Sequence, residues 1–198
     1  MRKRLSRQAT IDAAVDYADA HGIDALSISA LARHLHVSPP SLYVHLPGGI
    51  RELRAALCAK GHHEIAHAQR VAATGRSGGD ALRAMAHAQR DYARARPALY
   101  AATHFAVQGY QDDEVRRSAD EAAAVAADIL AATGISGPER VHTARAVRSA
   151  VQGFCALEAA GVFALKVSAD DSFEWLVDAL VDRAVRSGAT DRGRAAPR

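Results

Sequence analysis

The pentapeptide His63-Glu64-Ile65-Ala66-His67 matches H-E-x-x-H residue for residue. On a helix this spacing puts two imidazoles on one face, where they can hold zinc. The glutamate between them can take a proton from a zinc-bound water. The chemistry would be metal-assisted hydrolysis. The flanking residues point elsewhere. At 100° per residue, Ile50, Leu53, Leu57, Ile65 and Ala68 fall within a sector of roughly 120°. His63 and His67 point almost the opposite way, so both are expected to face solvent. No third ligand stands at a standard offset downstream, since His87 and His104 fall on other predicted helices. A zinc-dependent hydrolase built on His63, Glu64 and His67 is therefore the alternative reading, and a solvated helix face is the favoured one. The chain has no Ser/His/Asp order, glycine-rich phosphate loop or paired carboxylates, so no catalytic residue, bound metal or cofactor is expected.

The elements that would carry these residues are helical. Of 198 residues, 49% are apolar and 24% charged, which is ordinary globular composition. Alanine is abundant and β-branched runs are few, which favours helix over strand. No run of 18 apolar residues occurs, so no membrane span is expected. The basic start "MRKRLSRQ" lacks the apolar segment of a signal peptide. Cys58 and Cys155 lie far apart in sequence, which fits a reducing cytoplasm better than a disulfide framework.

Charge is unevenly placed. Residues 1–60 hold eight Lys and Arg against five Asp and Glu, whereas residues 61–198 hold seventeen of each. The whole net charge of +3 thus sits in the first third, which suggests an N-terminal part that meets a polyanion.

Periodicity predicts a helix over 9–21, stopped by Gly22, and a short second helix capped by Ser27 and carrying Ile28, Leu31, Ala32 and Leu35. Ser38 is expected to cap a third helix from Pro39 to about Leu46. A long fourth helix follows over 50–73. Beyond the linker "TGRSGGD", helices are expected near 80–96, 97–109, 112–133, 138–165 and 171–187, with 188–198 as a disordered tail. The fold class is all-α. Three short helices before a long one suggest a helix-turn-helix domain over residues 1–50, with a helical domain over 51–187. Leu31, Leu35, Val37 and Leu42 would form the core of the helix pair.

"LSISALARHLHVSPPSLYVHL" resembles the DNA-binding segment of the tetracycline-repressor (TetR/AcrR) family. The third helix of that family typically reads small-polar, Leu-Tyr-x-His, apolar; here these are Ser41, Leu42, Tyr43, His45 and Leu46. "GRSGGDALRAMAHAQRDYARARPALYAAT" is similar to the C-terminal domain of one subgroup, of TetR-like WHG type. The resemblance implies that Tyr43 and His45 contact phosphate, while Pro39, Pro40, Ser41 and Val44 face base edges. Ser27 and Arg4 belong to the same expected interface. Two departures stand out. His36 replaces the usual glycine of the turn, and Gly48, Gly49 and Ile50 stand where many members carry a phosphate-gripping lysine. Gly backbone N–H, Arg51 or Arg54 could replace that contact. The third helix contains no Arg, Lys, Asn or Gln, so the bidentate base pairings are closed to it. Proline and valine would then read thymine methyls, with affinity from phosphates and from a basic arm of Arg2, Lys3, Arg4 and Arg7 in a flanking minor groove.

In the second half, Val141, Ala144, Val147, Val151, Phe154 and Val162 form one stripe, and Phe173, Leu176, Val177, Leu180, Val181 and Ala184 another. Two such helices from each of two subunits would make a four-helix bundle, with Trp175 packed there. Met85, Tyr92, Leu99, Tyr100, Phe105, Val107 and Phe154 would line an effector cavity, with His104, Gln108, Gln152 and Cys155 orienting the ligand. The expected function is a one-component regulator, most simply a repressor. It would bind operator DNA as a homodimer and be released by a small-molecule effector.

Overall fold

The computed structural model describes residues 5–104 and 113–195, with side chains through Thr190. Its helices are α1 (Arg7–His21), α2 (Ile28–His34), α3 (Pro39–Tyr43), α4 (Gly49–Ala73), α5 (Gly78–Ala95), α6 (Pro97–Ala102), α7 (Asp113–Ala131), α8 (Gly137–Ala159) and α9 (Ala169–Ala195). A 3-10 turn, Ile23–Ala25, joins α1 to α2. No strand occurs among the described residues, and the all-α expectation holds.

Local chemistry sets most boundaries. Ser6 Oγ accepts the Ala9 N–H at 3.2 Å and opens α1. Gly22, at φ 85°, closes it by donating its N–H to the Ala18 carbonyl at 2.8 Å. Pro97 and Pro138 occupy first-turn positions of α6 and α8, where the missing N–H costs no intrahelical bond. Helix α8 stops at Ala159 rather than near 165, just ahead of Gly161 at φ 67°. Helix α9 continues to Ala195, whereas residues 188–198 were expected to be a disordered tail. The reason is close packing. A Cβ at Gly188 would collide with the Thr133 carbonyl, so only glycine lets the helix pass, and the neighbouring Ser187 is buried with its hydroxyl on Glu139.

The chain divides into two compact units. The first comprises Met1–Glu64 and Arg96–Asp120, the second Ile65–Ala95 and Glu121–Arg198. Helices α4 and α7 each contribute to both.

In the first unit, Ile11, Val15, Leu26, Leu31, Leu42, Leu46, Leu53 and Leu57 are buried together. Helix α6 is fastened to this unit twice. Asp19 on α1 accepts the Ala98 N–H at 3.2 Å, capping α6 from another helix, and also pairs with Arg96. On the α4 side, a Cβ at Gly61 would lie only 2.8 Å from the Leu99 carbonyl oxygen and 2.7 Å from Thr103 Cγ2. Glycine is what permits that crossing.

The second unit packs α5, α8 and α9 on one another. Its core includes Leu82, Met85, Val147, Val151, Cys155, Phe173, Val177 and Ala184. Of the residues expected to form the association stripes, Val147, Val151, Phe173, Val177 and Ala184 are buried within the chain, and Ala144, Phe154, Leu176, Leu180 and Val181 are half-buried. Two stripe residues, Val141 and Val162, are exposed, as are Leu157, Leu165, Val167, Val185 and Trp175, the last 74% exposed rather than packed. A helical stripe marks a buried face; it does not say which neighbour buries it.

The same unit contains a charge cluster. The Arg90 side chain is 5% exposed and forms two bonds to Glu158, with Nε at 3.0 Å. It also lies 2.8 Å from Asp170, and its guanidinium sits over the Phe173 and Phe154 rings at 4.5 and 5.2 Å. Arg94, one turn on, bonds the same two carboxylates. The cluster ties α5 to the end of α8 and the start of α9. Hydrogen bonds from Arg90, more than offsetting burial, hold the Glu158 carboxyl below the ordinary glutamate range. The folded chain therefore binds fewer protons at Glu158 than the unfolded chain does. That stability is complete above the ordinary glutamate value of about 4.3 and is lost as pH falls through the lowered folded value. Glu158→Gln should reduce the unfolding free energy by about 2 kcal/mol at pH 7 and should flatten its decline between pH 5 and the acid limit. Urea titrations at several pH values read both effects, and a variant as stable as the parent would show that the cluster is idle.

Candidate nucleic-acid interface

The pair α2 and α3 is built around one unusual residue. Ser27 caps α2, its Oγ accepting the Ala30 N–H at 3.1 Å. At the other end His36 adopts φ 54°, the single non-glycine residue with positive φ among those described. The His36 N–H bonds to the Arg33 carbonyl at 3.1 Å and the Val37 N–H to the Ala32 carbonyl at 3.0 Å. These are the two bonds of a Schellman ending, with His36 where glycine is usual. Histidine tolerates this region better than most residues, so the departure in sequence leaves the turn intact.

The turn sends α3 across α2. Ala32 is buried where the helices meet, and Leu31 and Leu42 are fully buried. Leu35 and Val37, expected in that core, are only half-buried, because α3 ends at Tyr43 and covers less than a longer helix would. Leu46 is fully buried.

The expected interface residues fall as follows. Pro39 and Pro40 are exposed, Tyr43 is 49% exposed and Val44 77% exposed. Ser41 and His45 are half-buried. Ser38 does not cap α3; its hydroxyl pairs with that of Ser41 at 2.8 Å. The Tyr43 ring lies against Gly49, where a Cβ would meet its Cε1 at 3.1 Å, and so stands at the start of α4. There the Gly48 N–H is taken by Glu52 Oε2 at 2.9 Å, and Glu52 also pairs with Arg7 at 3.2 Å. Arg7, expected in a free arm, is thereby engaged on the body of the first unit; it also lies 3.8 Å from Glu114. Arg4 and the other arm residues Arg2 and Lys3 lie outside the described residues, as do Phe105, Val107 and Gln108.

The remaining candidates from the sequence are placed in both units. Tyr100, buried, meets His104 edge to face at 4.9 Å in the first unit. Tyr92 and Gln152 are half-buried and Cys155 is buried in the second unit. Phe154 is engaged by the Phe163 and Phe173 rings and by Arg90. A groove of about 260 Å³ in the second unit has an apolar floor of Ala73, Ala124, Val125 and Ile129, rimmed by Arg70, Thr74, Glu121 and Asp128, and contains none of the residues expected to line an effector cavity. A buried polar group in the first unit was not foreseen from the sequence. His62 Nδ1 lies 3.2 Å from Ser118 Oγ and 3.9 Å from Cys58 Sγ. The Ser118 hydroxyl donates to the Val115 carbonyl at 2.8 Å, so the His62 Nδ1–H donates to Ser118. The i,i+4 spacing of Cys58 and His62 was its only trace in the sequence.

His63 and His67 are exposed, and Glu64 pairs with Lys60 at 3.1 Å. Among the described residues no three His, Cys, Asp or Glu side chains gather as a metal-binding group.

Family comparison decides what this architecture is. Residues 11–57 match the model of the bacterial regulatory proteins of the tetR family, and residues 82–180 match that of the tetracyclin repressor-like C-terminal domain. The chain belongs to the TetR family of transcriptional regulators. It is 30% identical over 160 residues to the uncharacterized HTH-type transcriptional regulator YobS of Bacillus subtilis, spanning 80% of this chain and 82% of that one. It is 33% identical over 159 residues to the uncharacterized HTH-type regulator Rv0681 of Mycobacterium tuberculosis, spanning 80% and 72%. The crystal structure of the regulatory protein SCO4313 superposes with a TM-score of 0.73 at 27% identity, covering 89% of this chain and 95% of that one. The helix-turn-helix of this TetR-family regulator is therefore a DNA-binding module, and none of these comparisons supports a hydrolase.

The left-handed turn can be tested without DNA. His36→Gly removes the Cβ that opposes positive φ and should raise unfolding free energy by about 1 kcal/mol, while His36→Val should lower it by at least as much. Equal urea midpoints for all three proteins would show that the turn is not under this constraint.

Proposed function

We propose that this TetR-family regulator is a homodimeric repressor that binds operator DNA through residues 1–50 and is released by a small-molecule effector bound in the region 51–187. The observation that carries the DNA part is the outward face of α3, where Tyr43 and Val44 stand exposed on a helix fixed by Leu42 and Leu46. In this reading Tyr43 and His45 meet phosphates, and Pro39, Pro40, Ser41 and Val44 face base edges. Ser27 supports the interface by holding α2 in place. The arm is confined to Arg2, Lys3 and Arg4, since Arg7 is engaged by Glu52.

A second copy of the chain accounts for the apolar surface left on α8 and α9, at Val141, Leu157, Trp175 and Val185. Two-fold symmetry would then match paired half-sites separated by about 34–36 Å or a multiple. Release needs an effector that favours a conformation with wrongly spaced reading heads. Helix α6 supports such coupling, because it is held by Asp19 on α1 and crowds α4 at Gly61. A movement of α6 would thus be felt by both helices. Among the described residues no helix is long and apolar enough to cross a membrane.

A gel shift against the DNA upstream of the regulator's own gene tests operator binding, and a thermal-shift panel of small molecules tests effector binding. Replacing Arg2, Lys3 and Arg4 with alanine keeps the Ser6 cap and the Arg7–Glu52 pair. It should weaken DNA binding and make the dependence of log affinity on log salt shallower by about 1 for each phosphate the arm no longer neutralises. An unchanged slope removes the arm from the interface. In sedimentation velocity the parent protein should run as a dimer and Trp175→Glu as a monomer or a weakened dimer. A monomeric parent would exclude the homodimer.

A further inference from the structure

We infer that this regulator selects its operator through thymine methyl groups, with Val44 and Pro40 as the readers. The inference rests on the DNA-binding reading above and deepens it. Leu42 on α3 and Leu46 just beyond it are both fully buried, and Val44, the C-cap residue, keeps helical φ and ψ. At 100° per residue Pro40 and Val44 stand only about 40° apart, and each lies roughly 160° from Leu42. They therefore form an apolar pair on the side pointing directly away from the core. Val44 is 77% exposed, and Pro39 beside the pair is exposed as well.

Polar side chains that discriminate between bases are absent from this summit for two separate reasons. Residues 39–45 contain no Arg, Lys, Asn or Gln, so no side chain can make the bidentate bonds that separate guanine or adenine from other bases. The serine hydroxyls are partly engaged, and a hydroxyl bonds more than one base rather than singling one out. Ser38 and Ser41 bond each other at 2.8 Å, and Ser27 accepts the Ala30 N–H. Tyr43 leans on Gly49 at the start of α4, off the summit. What the major groove offers an apolar pair is the thymine 5-methyl group, the one apolar feature by which a base edge identifies itself. Covering a methyl with Val44 or Pro40 removes apolar surface from water on both sides. The expected operator therefore carries thymine at the positions facing α3 in each half-site.

Deoxyuridine isolates this effect, since it removes the methyl and leaves every hydrogen-bonding atom in place. A duplex enriched from a random pool by the full-length protein would be resynthesised with uracil replacing thymine one position at a time. Affinities would be read by fluorescence anisotropy at fixed salt. One or two positions per half-site should bind about fourfold more weakly for each methyl removed. That penalty should vanish in Val44→Ala or in Pro40→Ala, according to which reader faces the position. Val44 is exposed, so its variant should melt like the parent, which separates lost recognition from lost fold. Uracil duplexes that all bind within twofold of the parent duplex overturn the methyl readout while leaving operator binding intact. A penalty that neither variant abolishes overturns the assignment of the readers. A pool in which no duplex is enriched overturns the DNA-binding reading and this inference together, and would point to a protein partner for the apolar summit.

Discussion

Between α2 and α3 the chain reverses through His36 at φ 54°, and the reading head depends on that single conformation. With positive φ at this position, the Arg33 and Ala32 carbonyls find their donors in His36 and Val37, and the chain changes direction before the next helix. The reversal places Leu42 and Leu46 inside and Pro40 and Val44 outside, along a five-residue helix and the turn that follows it. Were the turn right-handed, α3 would run on from α2 and its apolar summit would lose its direction. Histidine holds the geometry at a strain that glycine would avoid, while restricting the unfolded chain more than glycine does.

The same logic of close approach recurs where other helices meet. Gly61 lets α4 run against the α6 backbone, and Gly188 lets α9 pass Thr133. Asp19 caps α6 from α1, so a helix outside the reading head is tied by a charge-assisted bond to a helix within it. The second unit is closed by Arg90, whose guanidinium is shared between two carboxylates and two aromatic faces. A buried guanidinium is tolerable only when its donors are satisfied, and Glu158 and Asp170 do that here. An effector-driven rearrangement would have to respect or break these bonds.

The reading head has little with which to distinguish bases by hydrogen bonding. Its polar side chains are turned toward its own structure: Ser27 on α2, Ser38 on Ser41, Glu52 on Gly48 and Arg7. Each of these bonds fixes the position of a helix end. Rigidity is gained from groups that in another chain could touch DNA, and Pro39, Pro40 and Val44 are left exposed. Glu52 shows this most clearly, because its carboxylate at the start of α4 satisfies the N–H that would otherwise have been free to meet a phosphate.

Much was legible in the residues alone. The helical class, the Ser27 cap, the proline starts, the exposure of His63 and His67, and the segment resembling a TetR-type reading head all follow from local chemistry, which acts within a few residues. The left-handed His36 was legible too, since the position within the motif requires it. What the sequence could not decide was who covers whom. The stripes on α8 and α9 announced a buried face, and only the tertiary structure showed that part of it is covered by the chain's own α5, with Val141, Val162 and Trp175 left outside. Arg7 read as a free basic arm until Glu52, forty-five residues away, claimed it. His62 and Ser118, fifty-six residues apart, met for the same reason. Periodicity and capping are properties of neighbours in the chain, whereas pairing across distant helices depends on packing that no local pattern encodes.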